Sequence, residues 1–177
     1  MRSARVVLTV IGCVLLAVAI AVLGLRSYLG REAESRLAQD EVIDFAARGS
    51  AGRSNVFAMC PTGYCTPPGD MASPVFAMGW ERLREYWREM IAVQSGVETV
   101  GWDARRRRAT YIQRSEIFRF PDIVTVEFVD LGGGRSSLAI DSRSRYGKGD
   151  MGVNHRRVIA WMAVLRNMTR EDQRPAG

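Results

Sequence analysis

Between residues 140 and 157 the chain sets Arg143, Arg145, Arg156 and Arg157 beside Asp141 and Asp150, punctuated by Gly147, Gly149 and Gly152. Guanidinium groups are planar forks that match a carboxylate or phosphate two bonds at a time. A glycine-rich loop entering a helix adds free backbone N–H groups, which favour an anion. Two readings follow. In one, Asp122, Asp141 and Asp150 pair with Arg143, Arg145 and Arg157 in an internal network that fixes the loop. In the other, Arg143, Arg145, Asp150, Asn154 and Arg157 hold an external phosphate or carboxylate, Arg143 and Arg145 as forks and Asp150 as organiser. Asp150 suits the N-cap of the following helix, its carboxylate accepting from the backbone near Val153. Arg156 and Arg157 then oppose the helix dipole, at about 0.3–1 kcal/mol each, and ask for negative charge nearby. Alternation along the preceding strand sets Asp141, Arg143 and Arg145 on one face, opposite Ile140, Ser142 and Ser144. That face is expected to be polar and exposed.

Other chemistry is sparse. His155 is the single histidine. With an aspartate such as Asp150 it can be drawn as the acid/base of a hydrolase acting on an envelope or lipid ester. No Gly-x-Ser-x-Gly elbow accompanies it, and the simpler reading is a surface or capping residue. No catalytic residue is assigned. Cys60 and Cys65 flank Pro61-Thr62-Gly63-Tyr64, a turn-forming loop. In an oxidising compartment they most simply form a disulfide; reduced thiols and a metal site are the alternatives. A metal needs about four ligands, and the chain offers too few histidines and cysteines for that. No metal or cofactor is expected.

The net charge of +6 includes four consecutive arginines, Arg105, Arg106, Arg107 and Arg108. A run of like charge is usually a solvated face, and it can also meet anionic lipid headgroups. No aromatic residues interleave with it, so nucleic acid is not an expected partner.

These residues must be positioned by a chain of two unlike parts. Residues 6–25 are uncharged and dominated by Val, Leu, Ala and Ile. As a helix they span roughly 30 Å, the thickness of a hydrocarbon core. The rival is a cleaved signal peptide, with Arg2 and Arg5 as its positive flank. Against it, the run exceeds the usual ~7–15 residues, and the small-residue site Ala19-Ile20-Ala21 lies inside it. Val10-Ile11-Gly12-Cys13 resembles a lipoprotein box, but the apolar stretch before it is too short. The retained anchor is preferred, with the N-terminus cytoplasmic and the domain on the outer face of a bacterial inner membrane.

The expected organisation is a membrane anchor over residues 1–25, a juxtamembrane helix and linker over 26–52, a globular domain over 53–168 and a polar tail over 169–177. Gly49-Ser50-Ala51-Gly52 marks a break. Residues 53–75 hold Pro61, Pro67, Pro68 and Pro74, and read as irregular chain. Phe76, Trp80, Leu83, Trp87, Met90 and Ile91 recur at helical spacing. From Val97 the period becomes two, giving short strands at 97–102, 109–113, 123–129 and 137–143. A last helix over about 152–167 is expected, with Val158, Trp161, Met162, Leu165 and Met168 as its buried stripe. Short links favour an antiparallel meander. The fold class is therefore α+β: an N-terminal transmembrane helix, then a four-stranded antiparallel meander covered by two helices on one face.

The run Phe118-Arg119-Phe120-Pro121-Asp122, followed by Ser142-Arg143-Ser144-Arg145-Tyr146-Gly147, Asp150, Gly152-Val153-Asn154 and Arg157, resembles the signature of the Domain of Unknown Function 1499 family. Met59-Cys60-Pro61 and Ser73-Pro74-Val75-Phe76 are similar to its bacterial, membrane-anchored branch. The resemblance covers roughly residues 55–165. It departs at Pro121-Asp122-Ile123, where many members carry paired aspartates, so no mechanism needing two carboxylates there carries over. The family brings no established activity. What the residues themselves suggest is a non-enzymatic, tethered module that binds an anionic group, a lipid headgroup or a protein partner.

Overall fold

The computed structural model describes residues 2–37, 43–48, 54–115 and 119–172. Helix α1 (Arg2–Leu37) runs unbroken through both the apolar run and the first part of the expected juxtamembrane segment. Its stretch Val10–Tyr28 has a mean hydropathy of 2.4 and buries nothing against the rest of the chain. By length and composition it can cross a bilayer, and a signal sequence meets the same test.

The domain is built on one sheet. Its strands are β1 (Val56–Cys60), β2 (Met71–Ala72), β3 (Val97–Asp103), β4 (Arg108–Arg114), β5 (Pro121–Gly132) and β6 (Arg135–Ser144), in the spatial order β2-β1-β6-β5-β4-β3. The last four form the expected meander, joined by short turns. At the tip of the β5–β6 hairpin Gly132, Gly133 and Gly134 take φ of +73°, +60° and +69°, a region where a Cβ is unfavourable.

The expected four-stranded antiparallel sheet is corrected to six strands in a mixed sheet. The two extra strands come from the supposedly irregular residues 53–75. β1 pairs antiparallel with β6, and β2 adds parallel to β1. Val56-Phe57-Ala58-Met59-Cys60 is uniformly apolar because both its faces are covered. Phe57 and Met59 enter the main core, while Cys60 joins a second cluster behind the sheet. Alternation, the signal of a half-exposed strand, is therefore missing. Between β1 and β2, Gly69 passes so close that a Cβ there would lie 3.0 Å from the Ala58 carbonyl oxygen.

Helices α2 (Trp80–Ala92) and α3 (Val153–Asp172) cover one sheet face. Trp87 anchors that core, its ring 5.9 Å from Trp161 and 6.5 Å from Phe128, both edge-on. α2 starts later than the apolar period suggests, because Phe76 exchanges two backbone bonds with Ser136 (2.8 and 3.1 Å). α3 continues through Asp172 and buries Thr169, so residues 169–172 belong to the helix.

The opposite face is also covered. Phe45, Cys60, Cys65, Val129 and Ala139 form a small apolar cluster there, with Ile43 beside it. Residues 43–48, expected within the linker, dock on this face. The Arg48 amide donates to the Thr66 carbonyl (2.6 Å) and the Thr66 amide to the Phe45 carbonyl (3.0 Å). The glycine-serine break at 49–52 lies outside the described residues.

Candidate functional site

The sheet divides the five candidate residues. Asn154 and Arg157, in the first turn of α3, lie on the helix side, where Ser142 and Ser144 of β6 point. Asn154 is fully buried. Its amide nitrogen donates to Ser144 Oγ and to the Asn55 carbonyl, each at 3.1 Å, and its Oδ1 accepts from Ser142 Oγ at 2.7 Å. Arg157 is spread over four partners. It donates to Asp122 Oδ2, to Gln113 Oε1, to Asn154 Oδ1 and, at 2.9 Å, to Ser142 Oγ. Its side chain is 7% exposed and that of Asp122 14%, so the pair is held in a largely water-excluded seam.

Arg143 and Asp141 point through the other face, as alternation requires. That face is not exposed. Asp141 is fully buried beneath the docked residues 43–48. It accepts from Arg143 Nε at 2.7 Å and faces Arg48 Nη1 at 3.7 Å. A guanidinium from just before the domain thus shares a buried carboxylate with one from β6. Arg145 follows the end of β6, where its amide donates to the Pro121 carbonyl at 3.3 Å. Phe118 lies outside the described residues.

Asp150 caps α3. Its carboxylate accepts from the Gly152 amide (2.9 Å) and the Asn154 amide (2.7 Å), the role expected of it. Burial raises its carboxyl, but these amide bonds outweigh it and hold the group below its ordinary value. Arg156 donates to the Met151 carbonyl at 2.8 Å. The two cations at this helix start are therefore met by Asp122, by side-chain oxygens and by a carbonyl. Of the expected internal network the pairs Arg157–Asp122 and Arg143–Asp141 are present, while Asp150 binds backbone amides instead of an arginine. His155 packs its ring edge-on against Phe57 at 4.7 Å, while Asp150 is engaged with the backbone.

A second polar cluster went unread in the sequence. Arg108, last of the arginine run, is buried rather than solvated. It donates to Glu127 through Nε (3.0 Å) and Nη2 (2.5 Å), and to the Ile43 carbonyl through Nη1. Its guanidinium carbon lies 5.3 Å from the centre of the Phe45 ring. Tyr64 donates to the other Glu127 oxygen, and burial, then that bond, push its phenol well above the usual range. Arg108 thereby clamps the entering chain to the sheet. Cys60 and Cys65 are joined beside it, with Cα atoms 6.0 Å apart. A hollow of about 360 Å³ at this end is lined by Asp44, Tyr64, Arg105, Arg106, Arg107 and Asp130. Among the described residues no group of three or more His, Cys, Asp and Glu side chains could hold a metal.

An α+β domain with an N-terminal apolar helix, locked by buried arginine–carboxylate pairs on both faces of its sheet, defines the class. The profile of a family described as protein of unknown function (DUF1499) matches residues 67–165, and the chain belongs to that family. No curated protein matches the chain.

Proposed function

We propose that this is a membrane-tethered, non-enzymatic domain that rests its tether-proximal end on anionic lipid headgroups. One juxtaposition carries the reading: the end of the sheet where residues 43–48 enter is the end that presents Arg105, Arg106 and Arg107. Nine helical residues follow Tyr28 in α1, and five residues separate Leu37 from Ile43. Ile43 can therefore stand no farther than roughly 35 Å from the end of the span. Tyr64 and Leu131 are exposed at the same end, and Arg107 lies 4.8 Å over the Trp80 ring. Arginine with Tyr and Trp is the composition of a membrane–water interface. The acids nearby are partly engaged with the backbone, Asp44 capping the Ala46 amide, Asp103 those of Arg105 and Arg106, and Asp130 that of Gly132. Asp103 also pairs with the Arg106 guanidinium at 3.0 Å and Asp130 with that of Arg107 at 3.7 Å, so the net positive charge of this end is smaller than its arginine count. Each guanidinium near an anionic surface contributes about 1 kcal/mol. The Cys60–Cys65 pair supports an oxidising, extracytoplasmic side, in keeping with the proposed outer face of a bacterial inner membrane.

The test uses the full chain with Cys13→Ala in lipid nanodiscs. A bimane probe is attached at Ala104→Cys in the arginine turn, or at Lys148→Cys beyond the last residue of β6, at the opposite end of the sheet and roughly 20 Å away along the strand direction. Nitroxide-headgroup lipid should quench position 104 much more than 148 in anionic discs. High salt or Arg105→Gln/Arg106→Gln should erase the difference. Equal quenching at both positions would overturn the proposal.

A further inference from the structure

Away from both clusters, α2, the edge strand β3 and its neighbours β4 and β5 border a cleft of about 250 Å³ lined by Arg84, Arg88, Trp102, Tyr111 and Phe128. That is room for roughly eight water volumes. The floor is aromatic. Trp102 is 37% exposed, and its ring centre is 6.0 Å from that of Phe128. Arg84 and Arg88 stand one helical turn apart, so both side chains reach the same side of α2. The Arg84 guanidinium carbon lies 3.9 Å over the Trp102 ring. No Asp or Glu is among the described residues lining the cleft.

Tyr111 adds a polar group to the floor, and its ring centre lies 6.5 Å from that of Trp87, whose buried N–H has no hydrogen-bond partner. Burial raises the Tyr111 phenol, and nearby Trp87 and the positive charges of Arg84 and Arg88 pull it partly back. An apolar pocket with a few convergent polar groups is the general form of a small-molecule site. Here those groups carry net positive charge over an aromatic surface.

We propose that this cleft binds a small amphipathic anion, its apolar chain or ring against Trp102 and Phe128 and its acidic head between Arg84 and Arg88. The proposal goes beyond the bilayer reading and does not require it. The chain has four tryptophans, so 5-fluorotryptophan labelling gives four fluorine resonances, with that of Trp102 assigned by Trp102→Phe. Full-length protein in zwitterionic nanodiscs, free of anionic lipid, is titrated with octanoate, octyl phosphate and octanol. Octanoate or octyl phosphate should shift the Trp102 resonance saturably, and which binds more tightly names the preferred head group. Octanol should bind at least about tenfold more weakly, as should octanoate to Arg84→Gln/Arg88→Gln, since a charge-assisted bond is lost. The Trp87 and Trp161 resonances, both from the core, report that the variant is folded. A Trp102 resonance unmoved by millimolar octanoate, equal response to octanol, or an undiminished response in the folded double variant would each overturn the assignment.

Discussion

Replacing Arg157 by Met keeps the aliphatic stem and removes the guanidinium that four groups share. Asp122 Oδ2, Gln113 Oε1 and Ser142 Oγ each lose the donor Arg157 supplies, while Asn154 Oδ1 loses one of two and keeps the bond from Ser142 Oγ. Removing one partner of a buried ion pair typically costs about 3–5 kcal/mol, because the other charge stays behind unpaired. Asp122 retains 14% side-chain exposure, and water can reach part of the carboxylate. The lower end, about 3 kcal/mol, is therefore expected. For a domain of this size that lowers Tm by roughly 10 °C. The assay is thermal unfolding of the full chain in nanodiscs, followed by near-ultraviolet circular dichroism with and without inorganic phosphate. Arg157→Met/Asp122→Asn should recover part of the loss, since the stranded charge is gone. Phosphate should leave the wild-type Tm unchanged. The structural role of this motif is refuted if Arg157→Met melts within about 2 °C of wild type. A Tm that phosphate raises in the wild type and not in the variant would restore the anion-site reading.

Other perturbations test neighbouring parts of the structure. Arg108→Met should release residues 43–48 from the sheet, so that trypsin cleaves after Arg48 in the variant while wild type resists; equal resistance would contradict the clamp. Cys60→Ser/Cys65→Ser should lose about 2 kcal/mol, the loop-closure value for so short a ring, and dithiothreitol should destabilise wild type but not this variant. Asp150→Ala should cost about 1 kcal/mol at neutral pH through loss of the α3 cap. Because the folded Asp150 carboxyl titrates below its unfolded value near 3.9, its stabilisation is present above that pH and is lost as pH falls through the folded value. The gap between wild type and Asp150→Ala in a pH series of melts should close in acid.

α2, α3 and the β3–β6 meander were legible because apolar residues recur on the side of each that meets the main core, and so the period shows in the residues. α2 could be read from Leu83, Trp87 and Met90, and β5 from Val124, Val126 and Phe128 against Thr125 and Glu127. Asp150 was legible as a cap because capping is local. What failed was long-range. β1 has two covered faces and therefore no period. Alternation correctly set Asp141 and Arg143 opposite Ser142 and Ser144, yet it could not say that residues 43–48 return to bury that face. Arg48, Arg108 and Glu127 were unreadable for the same reason, since a buried charge resembles a solvated one until its partner is known. Trp102 and Arg84 meet across two elements, and nothing in their spacing announces a cleft.

The assignment of the domain to a bilayer surface rests on α1 staying attached to it. Membranes from cells producing the untagged chain should be washed with alkaline carbonate and floated on a density gradient, and the protein then identified by intact mass and N-terminal sequencing. With α1 retained in the bilayer, the protein should resist carbonate, float and still carry residues 6–25. A mature protein that begins beyond residue 21 and stays in the supernatant would contradict it.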